Sequence, residues 1–434
     1  MAEVRAAQQR AETGAQTFDH VQGLTDAAGP RLAGSTGDPL AVAWGVARMQ
    51  ALGFANVHAE PVTVHVWARG EERIEMTSPV PHRLAGAALG GSVGTPEGGI
   101  EALVVRVASL DELRALPREQ AEGHIVFVDA RMERARDGHG YGQGVRVRIQ
   151  SASIAAERGA LAVVIRSVGT DDTRFAHTGV MHYEDGVARI PAAAISNADA
   201  DVLARTLAAG QDVRLRLSLG CHELPDAQSA NVIGEVPGTD RASEVVLLGA
   251  HLDSWDLGRG AVDDGAGVAI VMEAARQILV SPTRPRRTVR VVLFANEENG
   301  GAGAHAYAEA HASELGAHVA ALEADFGDGA AWGLRTPDAP ERTEAWQRVA
   351  SLLAPMGVEW TAEEPHGGAD IGPMHEAGGV PAVDVEQDGT RYFDLHHTAN
   401  DVLTEIDRSS LDHAMRAVLT VAYAAALDVD GIHR

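Results

Sequence analysis

The stretch "EVVLLGAHLDSWDLGRGAVDDGAGVAIVMEAARQIL", residues 244–279, opens on an unbroken apolar run and closes on an apolar helical pattern. Between them, residues 249–265 hold one histidine, four acids and four glycines. A short apolar run bounded by glycine and polar residues reads as a strand buried on both faces, and the segment after Gly265 as the helix that covers it. Strand, glycine-rich turn and helix together make the repeating unit of a parallel sheet. Carboxylates crowded at the tip of such a strand repel one another unless water, cations or a bound metal neutralises them.

Outward from this stretch the pattern recurs. Further strands are expected at 288–295 ("TVRVVLFA"), 318–325 ("HVAALEAD") and 380–386 ("VPAVDVE"). Helices are expected at 267–279, 301–314, 343–356 and 412–427. The fold class is therefore α/β, a mostly parallel mixed sheet with helices on both faces, and its functional crevice is expected beyond the carboxyl ends of the strands. Residues 4–23 and 40–52 read as helices, with a β-leaning stretch after them. The segment 78–99, "SPVPHRLAGAALGGSVGTPEGG", is rich in Gly and Pro and suggests a domain boundary. Residues 101–217 then alternate short strands and helices like a self-contained small domain.

Composition removes many functions. At 434 residues the chain has room for two or three domains, and 45% hydrophobic with 22% charged residues is ordinary for a globular protein. A net charge of −25 argues against nucleic acid or an anionic membrane surface as a partner. All 36 basic residues are arginine. Without lysine there is no pyridoxal Schiff base, no Ser-Lys dyad and no nucleotide P-loop. Cys221 is the only cysteine, which excludes an internal disulfide and a Cys-rich zinc site and reads as an inert buried thiol. The first twenty residues lack the apolar core of a signal peptide, and no apolar run is long enough to span a membrane. Either a mature secreted form or a cytoplasmic protein is compatible with this.

The strand ends carry the chemistry. His251 and Asp253 close the first strand; Asp263 and Asp264 precede the next helix; "NEENGG" sets Glu297 and Glu298 side by side; "EADFG" carries Asp325; and "FDLHHTAND" brings His396 and His397. Alone, a histidine at a strand end is a satisfied polar residue, "DD" before glycine is a helix cap, and "EE" is a solvated pair. In order and at successive strand ends, they form a ligand inventory for a pair of metals, for which imidazole with carboxylate suits Zn²⁺ best and Mn²⁺ or Co²⁺ next. Of the paired glutamates, one can bind metal while its neighbour serves as general base and then as acid to a leaving amine. His305, His311, His318, His366 and His375 lack this context and are expected at the surface.

With "GAHLDSWDLGRGAVDDG", "NEENGGAGA", "LEADFG", "HGGADIGPMHEAGGVPA" and "HHTAND", the chain resembles the co-catalytic zinc exopeptidases that include bacterial leucine aminopeptidases and glutamate carboxypeptidases. The likeness covers most of residues 100–425. It implies that His251 and Asp325 bind one zinc, Glu298 and His397 the other, and Asp263 both. His397 is preferred to His396 because the family pattern of His, three residues, Asp fits "HTAND". The resemblance makes Glu297 the general base and Asp253 the carboxylate that orients His251. It implies a strained or cis peptide before Asp264 and places Asp370 near the substrate pocket. Arg259 stands where the relative has glutamine, so it either meets a substrate carboxylate or, as preferred, pairs with Asp256. The implied domains are 1–80, the N-terminal part of a peptidase domain; 81–215, an inserted protease-associated-type domain; and 216–434, the zinc peptidase domain. The implied function is hydrolysis of dipeptides or short peptides by a homodimer carrying two Zn²⁺ per chain, with action on other amides as the alternative.

Three rival readings fit the chain less well. "GAGAHA" (301–306) matches G-x-G-x-x-A, with Glu323 about twenty residues on as the dinucleotide fingerprint requires. However, Glu297 and Glu298 stand where an anionic pyrophosphate would approach. "GGSVG" (90–94) matches a serine-hydrolase elbow, but "TPEGG" follows it and does not start a helix cleanly. A non-catalytic binding module would have lost ligands, whereas this chain keeps the whole set.

Overall fold

The computed structural model describes residues 1–337, 343–361, 363–428 and 432. The apolar run before His251 forms the strand Arg241–His251, buried from Val245 onward. It lies in a five-stranded sheet ordered Ala55–Ala68, His222–Val236, Arg287–Phe294, Arg241–His251, His318–Glu323. Arg287–Phe294 pairs antiparallel with His222–Val236 and parallel with Arg241–His251, which in turn pairs parallel with His318–Glu323. In register, His251 lies opposite Phe294, and Gly249 opposite Glu323. Three parallel strands therefore end at one edge and deliver their following residues to one place.

Alternation along the strands sorts the core. Val245, Leu247, Val292 and Phe294 pack against Ala304 and Tyr307 of the helix Ala302–Ala310 and against Ile371 and Met374 of the helix Gly368–Gly378. Val246, Leu248, Val291 and Leu293 are equally buried on the other face. There the helices Asp38–Leu52, Thr17–Ala28, Gly265–Leu279 and Arg408–Ala426 gather. The expected single helix over 4–23 is two, Ala2–Gly14 and Thr17–Ala28, because the chain is extended at Ala15.

One expected strand of the main sheet is misplaced. Of "VPAVDVE" only residues 384–386 are strand, within Asp384–Gln387, which belongs to a separate three-stranded sheet with Ala331–Arg335 and Glu359–Trp360. Ala382 touches the main sheet through an isolated bridge to Ala321. Pro381 has no N–H, so a full ladder cannot start there. His318 is likewise not at the surface: it is fully buried, with Nε2 3.1 Å from the Tyr307 hydroxyl.

Chain tracing divides the described residues into two compact units. One comprises 1–64, 226–392 and 401–434, the other 65–225 and 393–400. The second is wider than the 81–215 segment expected, and both of its main boundaries fall inside long strands, Ala55–Ala68 and His222–Val236. The Gly/Pro-rich segment lies within it and supplies the short strands His82–Leu84 and Gly86–Ala88. Its eight-stranded sheet runs His82–Leu84, Glu72–Ser78, Arg214–Leu219, Ile100–Val107, Ile125–Val128, Ala162–Arg166, Ala192–Ile195, Gly86–Ala88. Ser92 of "GGSVG" is buried, its hydroxyl accepting from Ala192 N at 2.9 Å, and the next element is a strand, so no nucleophile elbow exists there. Cys221 is buried, as expected.

In the first unit, buried Glu273 ties two helices together. His20 Nε2 lies 3.2 Å from it, and Arg276 and Gln277 donate to it at 2.7–2.8 Å. Arg48 Nε donates to His20 Nδ1 at 3.0 Å, which makes Nε2 the donor toward Glu273. Burial pushes the Glu273 carboxyl up, but the hydrogen bonds from Arg276, His20 and Gln277 outweigh it and bring it down to about 2. A depressed carboxylate stabilises the fold above its unfolded value of 4.5, and that contribution fades as the pH falls toward about 2. Glu273→Gln is accordingly expected to cost about 3 kcal/mol in urea unfolding at neutral pH. The difference from the parent should shrink steadily below about pH 4.5, the ordinary glutamate value; a difference independent of pH would refute the linkage.

Candidate metal centre

The centre is built from the turns that follow three parallel strands. His251 is the last residue of its strand, and its backbone N–H donates to Asp264 Oδ2 at 3.1 Å. Asp264 Oδ1 accepts from Gly267 N at 3.0 Å and caps the helix Gly265–Leu279. Asp264 is thus the helix cap, the role ordinary for an acid before glycine. The peptide between Asp263 and Asp264 is cis. Gly267 is required to be glycine, since a Cβ there would lie 1.8 Å from the Ala324 carbonyl oxygen.

These constraints bring three predicted ligands together. His251 Nε2 lies 3.1 Å from Asp263 Oδ1 and 3.4 Å from Asp325 Oδ1, and the three donor atoms lie within 4.8 Å of one another. His251 and Asp263 are buried, and the Asp325 side chain is 22% exposed. Spacings of this size are those between neighbouring ligands held about 2 Å from one small cation. One imidazole with carboxylates is a donor set that suits zinc. The residues present therefore fit a bound zinc ion.

The glutamate pair divides as the strand end demands. Glu298 is buried and accepts from Trp255 N at 3.1 Å, while Glu297 is partly exposed and donates its backbone N–H to Asp253 Oδ1 at 3.0 Å. Burial pushes both carboxyls well above the ordinary range. His251 pulls both down, Asp325 and Asp253 push both up, and Asp263 adds strongly at Glu298. Burial pulls the His251 imidazole down, but Asp325, Asp253 and Asp263 outweigh it and hold it well above its usual value. The centre as a whole attracts positive charge.

Asp253 touches His251 less directly than expected. Its carboxylate is 3.7 Å from Nδ1, and the closer acceptor, at 3.1 Å, is its own backbone carbonyl. Asp253 Oδ2 is buried without a hydrogen-bond partner among the described residues. Asp370 is fully buried in the first turn of the helix Gly368–Gly378, and neither of its carboxylate oxygens has such a partner. Burial, then the charges of Glu323 and Glu297, push its carboxyl well up. Arg259 does not take Asp256: its guanidinium donates to the Thr25 carbonyl at 2.9 Å, at the end of a helix. His396 and His397 belong to the segment 393–400 of the second unit. There the two rings stack at 3.5 Å, and His397 Nδ1 lies 3.3 Å from the Thr178 carbonyl.

Three residues that support the centre have no motif of their own. Arg31 is fully buried and donates to the carbonyls of Leu252, Arg259 and Gly260 at 2.5, 2.8 and 2.9 Å. Burial pulls its guanidinium down, while Asp401, Asp253, Asp264 and Asp263 pull it back up. Asp401 accepts from Val262 N at 2.6 Å and from Asp263 N at 3.2 Å; it is the aspartate of "HTAND", read there only as part of the histidine pattern. Glu323 accepts from the N–H groups of Ala369, Asp370 and Ile371 at 2.8–3.0 Å, so the acid that matched a dinucleotide fingerprint caps a helix instead. The glycines of "GAGAHA" serve packing: a Cβ on Gly303 would lie 2.4 Å from the Ala295 carbonyl oxygen.

A parallel sheet whose strand ends gather imidazole and carboxylates beside a free glutamate defines a metallopeptidase of the α/β type. The chain belongs to peptidase family M28, whose profile matches residues 231–422. It is 37% identical to carboxypeptidase Q of Mus musculus over 415 residues, covering 96% of this chain and 86% of that protein. A crystal structure of a peptidase M28 precursor from Shewanella amazonensis SB2B superposes with a TM-score of 0.95 at 45% identity, over 98% of this chain and 96% of that one. BSAP, a zinc aminopeptidase from Bacillus subtilis, shares the fold at 20% identity, with a TM-score of 0.69 over 95% of each chain.

Proposed function

We propose that the chain is a zinc exopeptidase that hydrolyses dipeptides or short peptides, with two Zn²⁺ per chain. The observation that carries this reading is the convergence of His251, Asp263 and Asp325 within 4.8 Å, beside Glu297 and Glu298, in a chain of family M28. His251 and Asp325 would hold one ion, Asp263 would be shared, and Glu298 would serve the second. His397 joins Glu298 on the strength of the "HTAND" motif. Bound zinc supplies a Lewis acid toward the scissile carbonyl and a water of lowered pKa. Glu297, partly exposed and fixed through its backbone to Asp253, takes the proton of the attacking water and delivers it to the leaving nitrogen. Asp253 steadies the Glu297 turn and His251 together, and Asp370 is placed near the substrate. The inserted unit is read as protease-associated in type and the assembly as a homodimer, which light scattering tests directly.

The deciding experiment is hydrolysis of free, N-blocked and C-amidated dipeptides, with chelator and then with zinc added back. Activity lost to chelation and restored by zinc supports the reading, and the blocked substrates show whether the amino or the carboxyl end is required. Intact substrates throughout, in zinc-replete protein, would overturn peptidase action and leave other amides to be tried. Asp263→Asn is expected to lower zinc content at both positions together, measured by elemental analysis. Full occupancy in that variant would remove Asp263 from the shared role.

A further inference from the structure

The second unit contains a cavity of about 360 Å³ that the peptidase reading does not use. Its place in the fold is informative. The strands Ile100–Val107, Ile125–Val128 and Ala162–Arg166 are parallel. The cavity is lined by residues that follow them directly: Ala108 and Ser109 after the first, Ala130 and Arg131 after the second, Arg166 at the end of the third. Beyond the carboxyl ends of parallel strands is where α/β sheets bind ligands. The volume falls within the range of small-molecule sites.

The charge of the lining is positive in a strongly acidic chain. Arg166 is 2% exposed and is held rigid by Asp129 at 2.6 Å, Asp201 at 2.8 Å and the Asn197 carbonyl at 3.0 Å. Arg106 shares Asp129, and Arg131 shares Asp201. Three guanidiniums thus face two carboxylates. Arg114 on the rim is balanced by Asp111 at 2.9 Å. Arg146, also in the lining, is exposed and has no ion pair among the described residues. The local excess is therefore two positive charges.

One flank of the seventeen-residue helix Tyr141–Glu157, carrying Gln143, Arg146, Val147 and Gln150, closes the cavity. A guanidinium without an ion pair, beside others held fixed, is suited to a planar or tetrahedral oxyanion. Met132, Val147 and Val168 complete the wall with apolar surface.

We propose that this cavity binds a small amphipathic anion, a carboxylate or phosphate group on an apolar body. The oxyanion meets Arg146, and the apolar body lies on Met132, Val147 and Val168. Every lining residue lies within 108–168, in the second unit.

The test is calorimetric titration of the zinc-loaded full chain with hexanoate, phenyl phosphate, inorganic phosphate and uncharged hexanol. Saturable binding of hexanoate or phenyl phosphate is expected, one molecule per chain, with the tighter of the two naming the headgroup. Hexanol and inorganic phosphate, each lacking half of the recognition, should bind at least about tenfold more weakly. Arg146→Gln removes the unpaired cation. Gln143→Glu, at an exposed lining position, places a competing carboxylate in the cavity. Each variant should weaken binding by about tenfold or more while dipeptide turnover stays at the parent level. Absence of saturable binding by either organic anion overturns the proposal, as does equal affinity in parent and both variants, which would place the anion elsewhere, including on the metals.

Discussion

Glu297→Gln is expected to keep its zinc and to lose turnover by about 10²–10⁴-fold, the usual worth of a general acid–base group. Glutamine has nearly the same shape, and the backbone N–H of residue 297 still bonds Asp253, so the turn should stay in place. What disappears is the carboxylate that accepts and returns a proton. Because that interaction is made in the transition state, kcat should fall with KM little changed. Glu298→Gln should behave in the opposite sense, losing metal first, since Glu298 is buried and electrostatically tied to Asp263. Zinc content and steady-state kinetics on both variants separate the roles. If Glu297→Gln loses zinc while keeping turnover, the two assignments exchange.

Arg31→Met is expected to destabilise the first unit by about 3–5 kcal/mol, the range for breaking a buried charge network by removing one partner. Methionine fills the volume but leaves the carbonyls of Leu252, Arg259 and Gly260 without their donor. It also removes an arginine fixed among Asp253, Asp263, Asp264 and Asp401. The loop from 252 to 264 carries three of these acids, Asp253, Asp263 and Asp264, at the metal centre, so zinc affinity should fall along with stability. Arg31→Lys is the informative companion: it restores the charge but not the planar fork that serves three carbonyls. It should therefore recover part of the zinc affinity and little of the stability. Urea unfolding and competition titration of zinc read the two effects separately. An Arg31→Met protein as stable as the parent would show that the loop holds itself.

Legibility in the sequence followed the range of the physics involved. His251, Asp263, Glu297 and Asp325 could be read because each sits within a few residues of an apolar run or a helix-opening glycine, and strand and helix periods are local properties. Asp264 was readable twice over, as an acid of the cluster and as a helix cap, and it caps. "VPAVDVE" misled because apolar content does not say which sheet a strand joins; Pro381 and the pairing with Ala331–Arg335 decided that. His318 misled because a lone histidine carries no periodic signal of burial. Arg259 was expected to choose a charge close in sequence and instead takes the carbonyl of Thr25, at the end of a helix more than two hundred residues earlier.

By itself, then, the sequence determined that parallel strands end in acids and imidazole, that nucleotide P-loop and Schiff-base chemistry are impossible without lysine, and which residues are candidate ligands and base. Only the tertiary structure decided how that cluster is held. Arg31 reaches the Leu252 carbonyl and Asp401 the backbone of Asp263 across 221 and 138 positions of chain, respectively. Local propensity cannot encode such pairings: a buried guanidinium or carboxylate is satisfied by whatever backbone groups the packed core places within about 3 Å of it.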